Sequence, residues 1–304
     1  MRRHGHSQLL SGLAVLVLTG GFVTALAGPA AAAAIHYVAP PPAVPLLDTG
    51  CNFPGFNTIQ SAVAASNPGD TIIVCPGGYP EQVVIDRSLT LTGSSATIQA
   101  PGPLNGDLNI VDVVGVATVV TMSDFVVSGP GPSGCGSIHT GIAVLGGATL
   151  HLSDTTVRNI RDTPFSGCQN GEGIRVGTPR GSEGSPQVAH ATINNVVVTG
   201  YQKNGIVVSG AVAGIPSSAQ ITNSTTTRKG KTTVIGQNGV EVVFGATATV
   251  NTNVITDDFY TPRTDTACGL LIIEAAGVQA SGNTYINDEK NQCNFGKGGG
   301  TFQP

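Results

Sequence analysis

Between residues 141 and 287 the chain repeats one arrangement of apolar and polar positions. Five copies open on glycine followed by a short apolar run: Gly141-Ile-Ala-Val-Leu, Gly173-Ile-Arg-Val-Gly, Gly205-Ile-Val-Val-Ser, Gly239-Val-Glu-Val-Val and Gly269-Leu-Leu-Ile-Ile, at spacings of 32, 32, 34 and 30 residues. A turn and then a segment of strict alternation follow each opening. Aligning Met122, Leu152, Ile193, Ile221 and Val250 places apolar Val120, Leu150, Ala191, Ala219 and Ala248 two positions earlier. Polar residues fill the alternate positions, as with Thr121 and Ser123, His151 and Ser153, or Thr192 and Asn194. Alternation of period two sends one set to an interior and the other to a surface. Strands and turns recurring at this period predict a solenoid of stacked coils.

The positions around this pattern extend the expectation. Two residues past the inward column stand Asp124, Asp154, Asn195 and Asn223, with Thr252 in the fifth copy. Asn and Asp at a turn can bond from rung to rung, which predicts an imperfect side-chain ladder. Ala191, Ala219, Ala246, Ala248 and Ala280 at inward positions imply a narrow, filled interior, so any site lies on an outer face or under the loops. Ahead of the repeats, Asn57-Thr-Ile-Gln60 reads as a capping box. Ile59, Ala62 and Val63 then share a helical face, and Asn67-Pro-Gly69 stops the helix. Such a helix would cover the apolar end of the first coil.

Composition narrows the class. With 42 Gly, 19 Pro and 11% charged residues the chain is a turn-rich β protein. A net charge of -4 and no extended basic stripe give no reason to expect nucleic acid. Residues 1–34 combine Arg2-Arg3, an apolar stretch and a poly-Ala region, the pattern of a secretory signal peptide. No later segment is apolar for long enough to span a membrane. All six cysteines, Cys51, Cys75, Cys135, Cys168, Cys268 and Cys293, follow that segment, which suits disulfides in an oxidising compartment. Pairing of nearest neighbours is favoured, because each pair is about one coil apart. The expected organisation is a signal peptide over 1–34, a Pro-rich irregular lead-in over 35–56, the solenoid over 57–288 and a Gly-rich polar tail over 289–304.

Asp70-Thr-Ile-Ile-Val, then Pro76-Gly-Gly-Tyr-Pro-Glu81 and Leu89-Thr-Leu-Thr-Gly93, following a short helix, resembles the opening coil of right-handed parallel β-helix proteins. That group includes pectate lyases, pectin methylesterases and NosD-like carbohydrate-binding proteins. The resemblance is most specific over 57–93 and implies an all-β, right-handed parallel β-helix of about seven coils with an N-terminal capping helix.

Candidate chemistry is sparse. Asp257 and Asp258, with Arg263 and Asp265 in the same loop, form one carboxylate cluster; glycoside hydrolysis uses two carboxyl groups flanking a bond. Polygalacturonase-like enzymes carry an Asp-Asp pair together with Asn-Thr-Asp, Gly-His-Gly and Arg-Ile-Lys motifs, and none of those three occurs here. Adjacent Asp residues are also ordinary turn chemistry. Pectate-lyase-like chemistry would draw on acidic ligands for Ca²⁺ and an Arg base, for which Asp154, Arg158, Arg161 and Asp162 are the candidates; surface pairing is the structural reading of the same four. Glu241-Val-Val-Phe-Gly245 is similar to a pectin methylesterase segment, but the companion motifs are missing, so Glu241 reads as an outward strand residue. His151 and His190 fall on the polar face in adjacent copies, without a carboxylate in register. No ligand spacing names a metal, and Ca²⁺ enters only under the lyase reading. Trp is absent and Tyr numbers 5, which offers few stacking platforms for sugars. Two functions stand: a non-catalytic extracellular protein that binds a polysaccharide, cell-wall glycan or other surface partner, and a polysaccharide lyase or glycoside hydrolase.

Overall fold

A computed structural model describes residues 32–179, 187–210, 216–228, 231–262 and 266–296. Most of the expected signal peptide, Arg263, Asp265 and residues 297–304 lie outside them. The described chain winds through three walls of parallel strands as a right-handed β-helix. Wall 1 comprises Thr149–Ser153, His190–Asn194, Ser218–Thr222, Thr247–Asn251 and Gly277–Ser281. Wall 2 comprises Thr156–Arg158, Val197–Thr199, Thr225–Thr227, Val254–Thr256 and Thr284–Ile286. The long strands Leu89–Gln99 and Val119–Ser128 contribute to both. Wall 3 stacks Val83–Ile85, Asn109–Val114, Thr140–Leu145, Glu172–Gly177, Asn204–Ser209, Asn238–Val243, Cys268–Ile273 and Lys290–Phe295.

The alternation in the sequence maps directly onto the interior. Met122, Leu152, Ile193, Ile221 and Val250 pair in register from rung to rung, and each is at most 2% exposed. The residues two positions earlier form a second buried column beside them. At roughly 25 cal/mol per Å² of apolar surface removed from water, this continuous core is the main stabilising term.

Wall 1 passes to wall 2 through one left-handed residue. Asp154, Asn195, Asn223 and Thr252 occupy that corner with φ of 50°, 55°, 52° and 57°, and Gly282 continues the series at 65°. Asn, Asp and Gly tolerate this region far better than other residues, so the turn selects them by backbone conformation. The expected ladder is present but stepped. Asn195 Nδ2 donates to Asp154 Oδ1 at 2.7 Å, Asn223 Nδ2 donates to Asn194 Oδ1 at 2.9 Å, and Thr252 Oγ1 donates to Asn223 Oδ1 at 2.9 Å.

The glycines that open each copy stack at the start of the wall 3 strands. A Cβ on Gly141 would meet the Gly173 carbonyl at 2.6 Å and Val157 Cγ1 at 2.8 Å; Gly173, Gly205 and Gly239 face the same obstruction from the next rung. Glycine is required there because backbone and interior side chains meet at that point.

The capping helix runs over Ile59–Ala65 and buries Ile59, Ala62 and Val63. Its N-cap is Thr58, whose hydroxyl accepts from Ser61 N, so the capping box expected from Asn57 and Gln60 is shifted by one residue. The remaining helix donors are met from the next coil: Ile59 N and Gln60 N donate to the two Glu81 carboxylate oxygens at 2.8 and 3.0 Å. Asn57 instead ties down the lead-in through the Ala39 and Ala43 carbonyls. Tyr79 Oη donates to the Val38 and Cys75 carbonyls. The Pro-Gly-Gly-Tyr-Pro-Glu segment is therefore the clamp that fixes the cap.

Two expectations about the ends are corrected. Ile35–Val38, placed in an irregular lead-in, pairs in parallel with Thr71–Val74 and so joins the first coil. Lys290–Phe295, placed in the polar tail, pairs with Cys268–Ile273 as a further rung of wall 3. The disulfides are Cys51–Cys75, Cys135–Cys168 and Cys268–Cys293, the nearest-neighbour pairs. Ala280 follows Val250 in register yet is exposed, because the described stack ends on that rung. Among the described residues no helix is long and apolar enough to cross a membrane.

Candidate functional site

On wall 3 the strands are buried on both faces, unlike those of wall 1. Ile142, Val144, Ile174, Val176, Ile206, Val208, Val240 and Val242 fill the interior. The opposite face carries a strip of polar side chains with little exposure. Asp112, Ala143, Arg175, Val207 and Glu241 share one register column. Asn109, Thr140, Glu172, Asn204 and Asn238 form the column beside it, each one residue ahead of the level at which the glycines stack.

These groups hold one another. Arg175 Nε and Nη2 donate to the two Glu172 oxygens at 2.5 and 2.8 Å, and Arg175 Nη1 donates to the Thr178 carbonyl at 2.6 Å. Asn204 Nδ2 donates to Glu172 Oε1 at 3.4 Å, Asn238 Nδ2 donates to Asn204 Oδ1 at 2.9 Å, and Cys268 N donates to Asn238 Oδ1 at 3.1 Å. Asn238 Nδ2 also lies 3.5 Å from Glu241 Oε2. One rung below Thr140, Asn109 Nδ2 donates to Asp112 Oδ1 at 2.7 Å. A bidentate guanidinium–carboxylate pair taken out of water keeps both charges only when its other hydrogen-bonding capacity is met, and here it is.

Asp112 differs from Glu172 in its surroundings. Burial raises its pKa to about 6, opposed by the Asn109 hydrogen bond and reinforced by the charge of Asp107. A carboxyl near that value can both give and take a proton close to neutrality. Beside it, a cavity of about 100 Å³ is lined by Asn109, His139, Asn170, Glu172 and Arg175. The strip thus offers one poised acid, one fixed cation and several amides along a straight wall, whose rungs are about 4.8 Å apart.

The residues singled out from the sequence are placed elsewhere. Asp258 is completely buried; it accepts from Tyr201 Oη at 2.8 Å, and its own N–H donates to Asp288 Oδ1 at 2.9 Å. Desolvation, then the charge of Asp288, pushes its pKa well above the ordinary carboxylate range. Asp257 takes a left-handed turn with φ 68° and accepts from Asn287 Nδ2 at 3.3 Å. Asp257 and Asp258 therefore serve the last two coils, and the structure does not bring them together around an open cleft.

Asp154 is the exposed left-handed corner, bonded to Asn195, whereas Arg158 stands at the end of wall 2 with Nε 3.3 Å from Ser128 Oγ. No ion pair joins these two among the described residues. Asp162 is buried and fully engaged by Gly136 N, Ser137, Ser166 and Gln202, where it organises the loops around Cys135–Cys168. His151 and His190 occupy adjacent rungs of wall 1, and His190 Nδ1 lies 2.8 Å from Ser218 Oγ. Among the described residues no group of His, Cys, Asp or Glu is arranged to hold a metal ion. Glu241, read as an outward strand residue, does face outward, but it is only 7% exposed.

Glu172 and Arg175 were not singled out from the sequence. The signal was there: Arg175 and Glu241 are the charged residues inside the five glycine-led openings, and Glu172, Asn204 and Asn238 each directly precede an opening glycine.

No protein-family model matches the chain, and no curated protein matches its sequence. Its fold is similar to solved structures. A pectate lyase, Pel9A, superposes with a TM-score of 0.52 at 12% identity, covering 80% of this chain and 62% of its own. An alginate lyase from Paenibacillus sp. matches with a TM-score of 0.40 at 18% identity, over 75% of this chain and 96% of that one. A lacto-N-biosidase from Eubacterium ramulus matches with 0.49 at 15% identity, over 86% and 56%. The chain spans less than two thirds of the pectate lyase's length. The fold is the right-handed parallel β-helix of the pectate lyase-like type.

Proposed function

We infer that this is a secreted protein that acts on an extracellular polysaccharide laid along wall 3. Residues 1–34 direct export, and the three disulfides suit that compartment. The observation that carries the reading is the hydrogen-bonded strip of Asp112, Glu172, Arg175 and Glu241, set among amides on an outward face. In this reading Asp112, which keeps access to solvent, exchanges the proton, while the buried Glu172–Arg175 pair and Asn204 hold the wall beside it in a fixed geometry. Polysaccharide-acting structures sharing the fold fit such a role, although fold alone assigns no reaction.

A second reading, binding without turnover, is favoured by one feature of the same strip. Glu172 is committed to two guanidinium nitrogens of Arg175, which holds it as a structural partner rather than a free acid or base. A panel of acidic and neutral glycans separates the two. Turnover appears as new reducing ends or as ultraviolet absorbance of unsaturated uronates, and Asp112→Asn lowers it by about 10²-fold or more. Retention of a glycan on the immobilised protein, with neither product and with loss of retention in Glu172→Gln, selects the binding reading. If no glycan is retained or cleaved, both readings fail.

A further inference from the structure

A second recess opens on the other side of the long loops, at the end of wall 2. It encloses about 590 Å³ and crosses three coils, with Arg161 from one, Tyr201 from the next, and Arg228, Lys231 and Gln237 from the third. Phe165 forms part of its lining. No Asp or Glu belongs to that lining, and none of the three cations takes part in an ion pair among the described residues. Behind the recess the buried Asp258 accepts a hydrogen bond from the Tyr201 hydroxyl, and the charges of Asp258 and Asp257 both act on Arg228.

Two buried atoms in this lining lack partners. Arg228 is 4% exposed and donates through Nη1 to the carbonyls of Asp257 and Phe259, while its Nε is unpartnered. Gln237 is 1% exposed and donates through Nε2 to the Tyr201 carbonyl, while its Oε1 is unpartnered. The recess therefore holds an unused donor on a cation and an unused acceptor on an amide. Leaving such groups unpaired is costly, and a ligand that meets both recovers that cost.

We propose that this recess binds a phosphorylated sugar or polyol. Arg161, Arg228 and Lys231 share one lining that contains no carboxylate, with Lys231 Nζ 4.6 Å from the Phe259 ring centroid. A phosphate ester suits it, carrying up to two negative charges and several acceptor oxygens for guanidinium donors. The free acceptor on Gln237 asks for a hydroxyl donor near the anion, which sulfate lacks. The Phe165 ring offers a face for the carbon skeleton. The site is separate from the wall 3 strip and does not depend on the function inferred for it.

Titration calorimetry on the full mature chain tests this with glucose 6-phosphate, a glycerophosphodiester, glucuronate and sulfate as probes. Saturable binding of a phosphate probe is expected, tighter than glucuronate or sulfate and weakened by added salt. The double variant Arg161→Gln/Lys231→Gln, both at positions with solvent access, is expected to weaken it at least tenfold with an unchanged melting temperature. Arg87→Gln, removal of a cation at the far end of the stack, leaves it intact. A preference for the monoester points to free sugar phosphates, and equal binding of the diester points to a phosphodiester polymer. Absence of phosphate binding, glucuronate or sulfate binding as tightly, or an unaffected double variant would each overturn the proposal.

Discussion

Along wall 1 the outward column reads Thr121, His151, Thr192, Gln220, Thr249 and Gln279, one residue per rung, all with some access to solvent. Along wall 3 the matching column reads Asp112, Ala143, Arg175, Val207, Glu241 and Leu271, and its members from Ala143 onward are at most 9% exposed. The columns belong to two sheets, but both hang on parallel strands paired in register from rung to rung, so the kind of backbone ladder is not what separates them. On wall 1 the polar groups stand open to solvent, and each is replaceable. On wall 3 the charges are satisfied by one another, and each depends on its neighbour. The difference marks wall 3 as the face whose polar side chains are coupled to one another.

Breaking the Glu172–Arg175 pair is the strongest test of that contrast. Glu172→Ala leaves a buried guanidinium without its partner and is expected to cost about 3–5 kcal/mol, read from urea unfolding. A cost below 1 kcal/mol would mean that the strip is open to water, as wall 1 is. Gly173→Ala comes next: the added methyl meets Val198 and the Gly205 carbonyl, and a loss of about 1–3 kcal/mol is expected by the same measurement.

Asp112 sharpens the comparison through pH. Its folded-state pKa of about 6 is raised above the usual value, so the native state holds the proton longer than the unfolded chain does. Stability from this group is therefore full below about pH 4, declines as pH rises to about 6 and is flat beyond, a change on the order of 1–2 kcal/mol after solvent screening. Asp112→Asn keeps an oxygen for Asn109 and is expected to remove this component from a series of melts between pH 4 and 8. An unchanged slope would place the group in ordinary solvent. The smallest effect belongs to wall 1, where Thr192→Ser or Gln220→Glu is expected to stay within about 0.5 kcal/mol.

The same contrast explains what the sequence disclosed. The column Leu152, Ile193, Ile221 and Val250 was readable because wall 1 faces water, so alternation is clean and the inward set stands out. The corner residues Asp154, Asn195 and Asn223 were readable as a turn, although their left-handed backbone matters more than their ladder. On wall 3 both faces are buried, which erases alternation, hides Arg175 inside a run that looks like core and lets Glu241 pass for an ordinary outward strand residue. Glu172 was hidden for another reason: it precedes the glycine that marks the repeat, where a polar residue passes for loop. Asp258 misled in the opposite direction, because an Asp-Asp pair in a loop suggests an exposed cleft, while contacts with Tyr201 and Asp288 thirty or more residues away in sequence bury it.

The corner between walls 1 and 2 is made by a single residue in every full coil from Asp154 to Gly282, and it admits no insertion without displacing a rung. Lengthening of the chain is thereby channelled to the other two corners. Variants with extra residues beside Asn159 or Thr178 would keep the rod intact and alter only what surrounds its two recesses. A one-residue insertion next to Asn195 would instead throw every later rung out of step with the one before it.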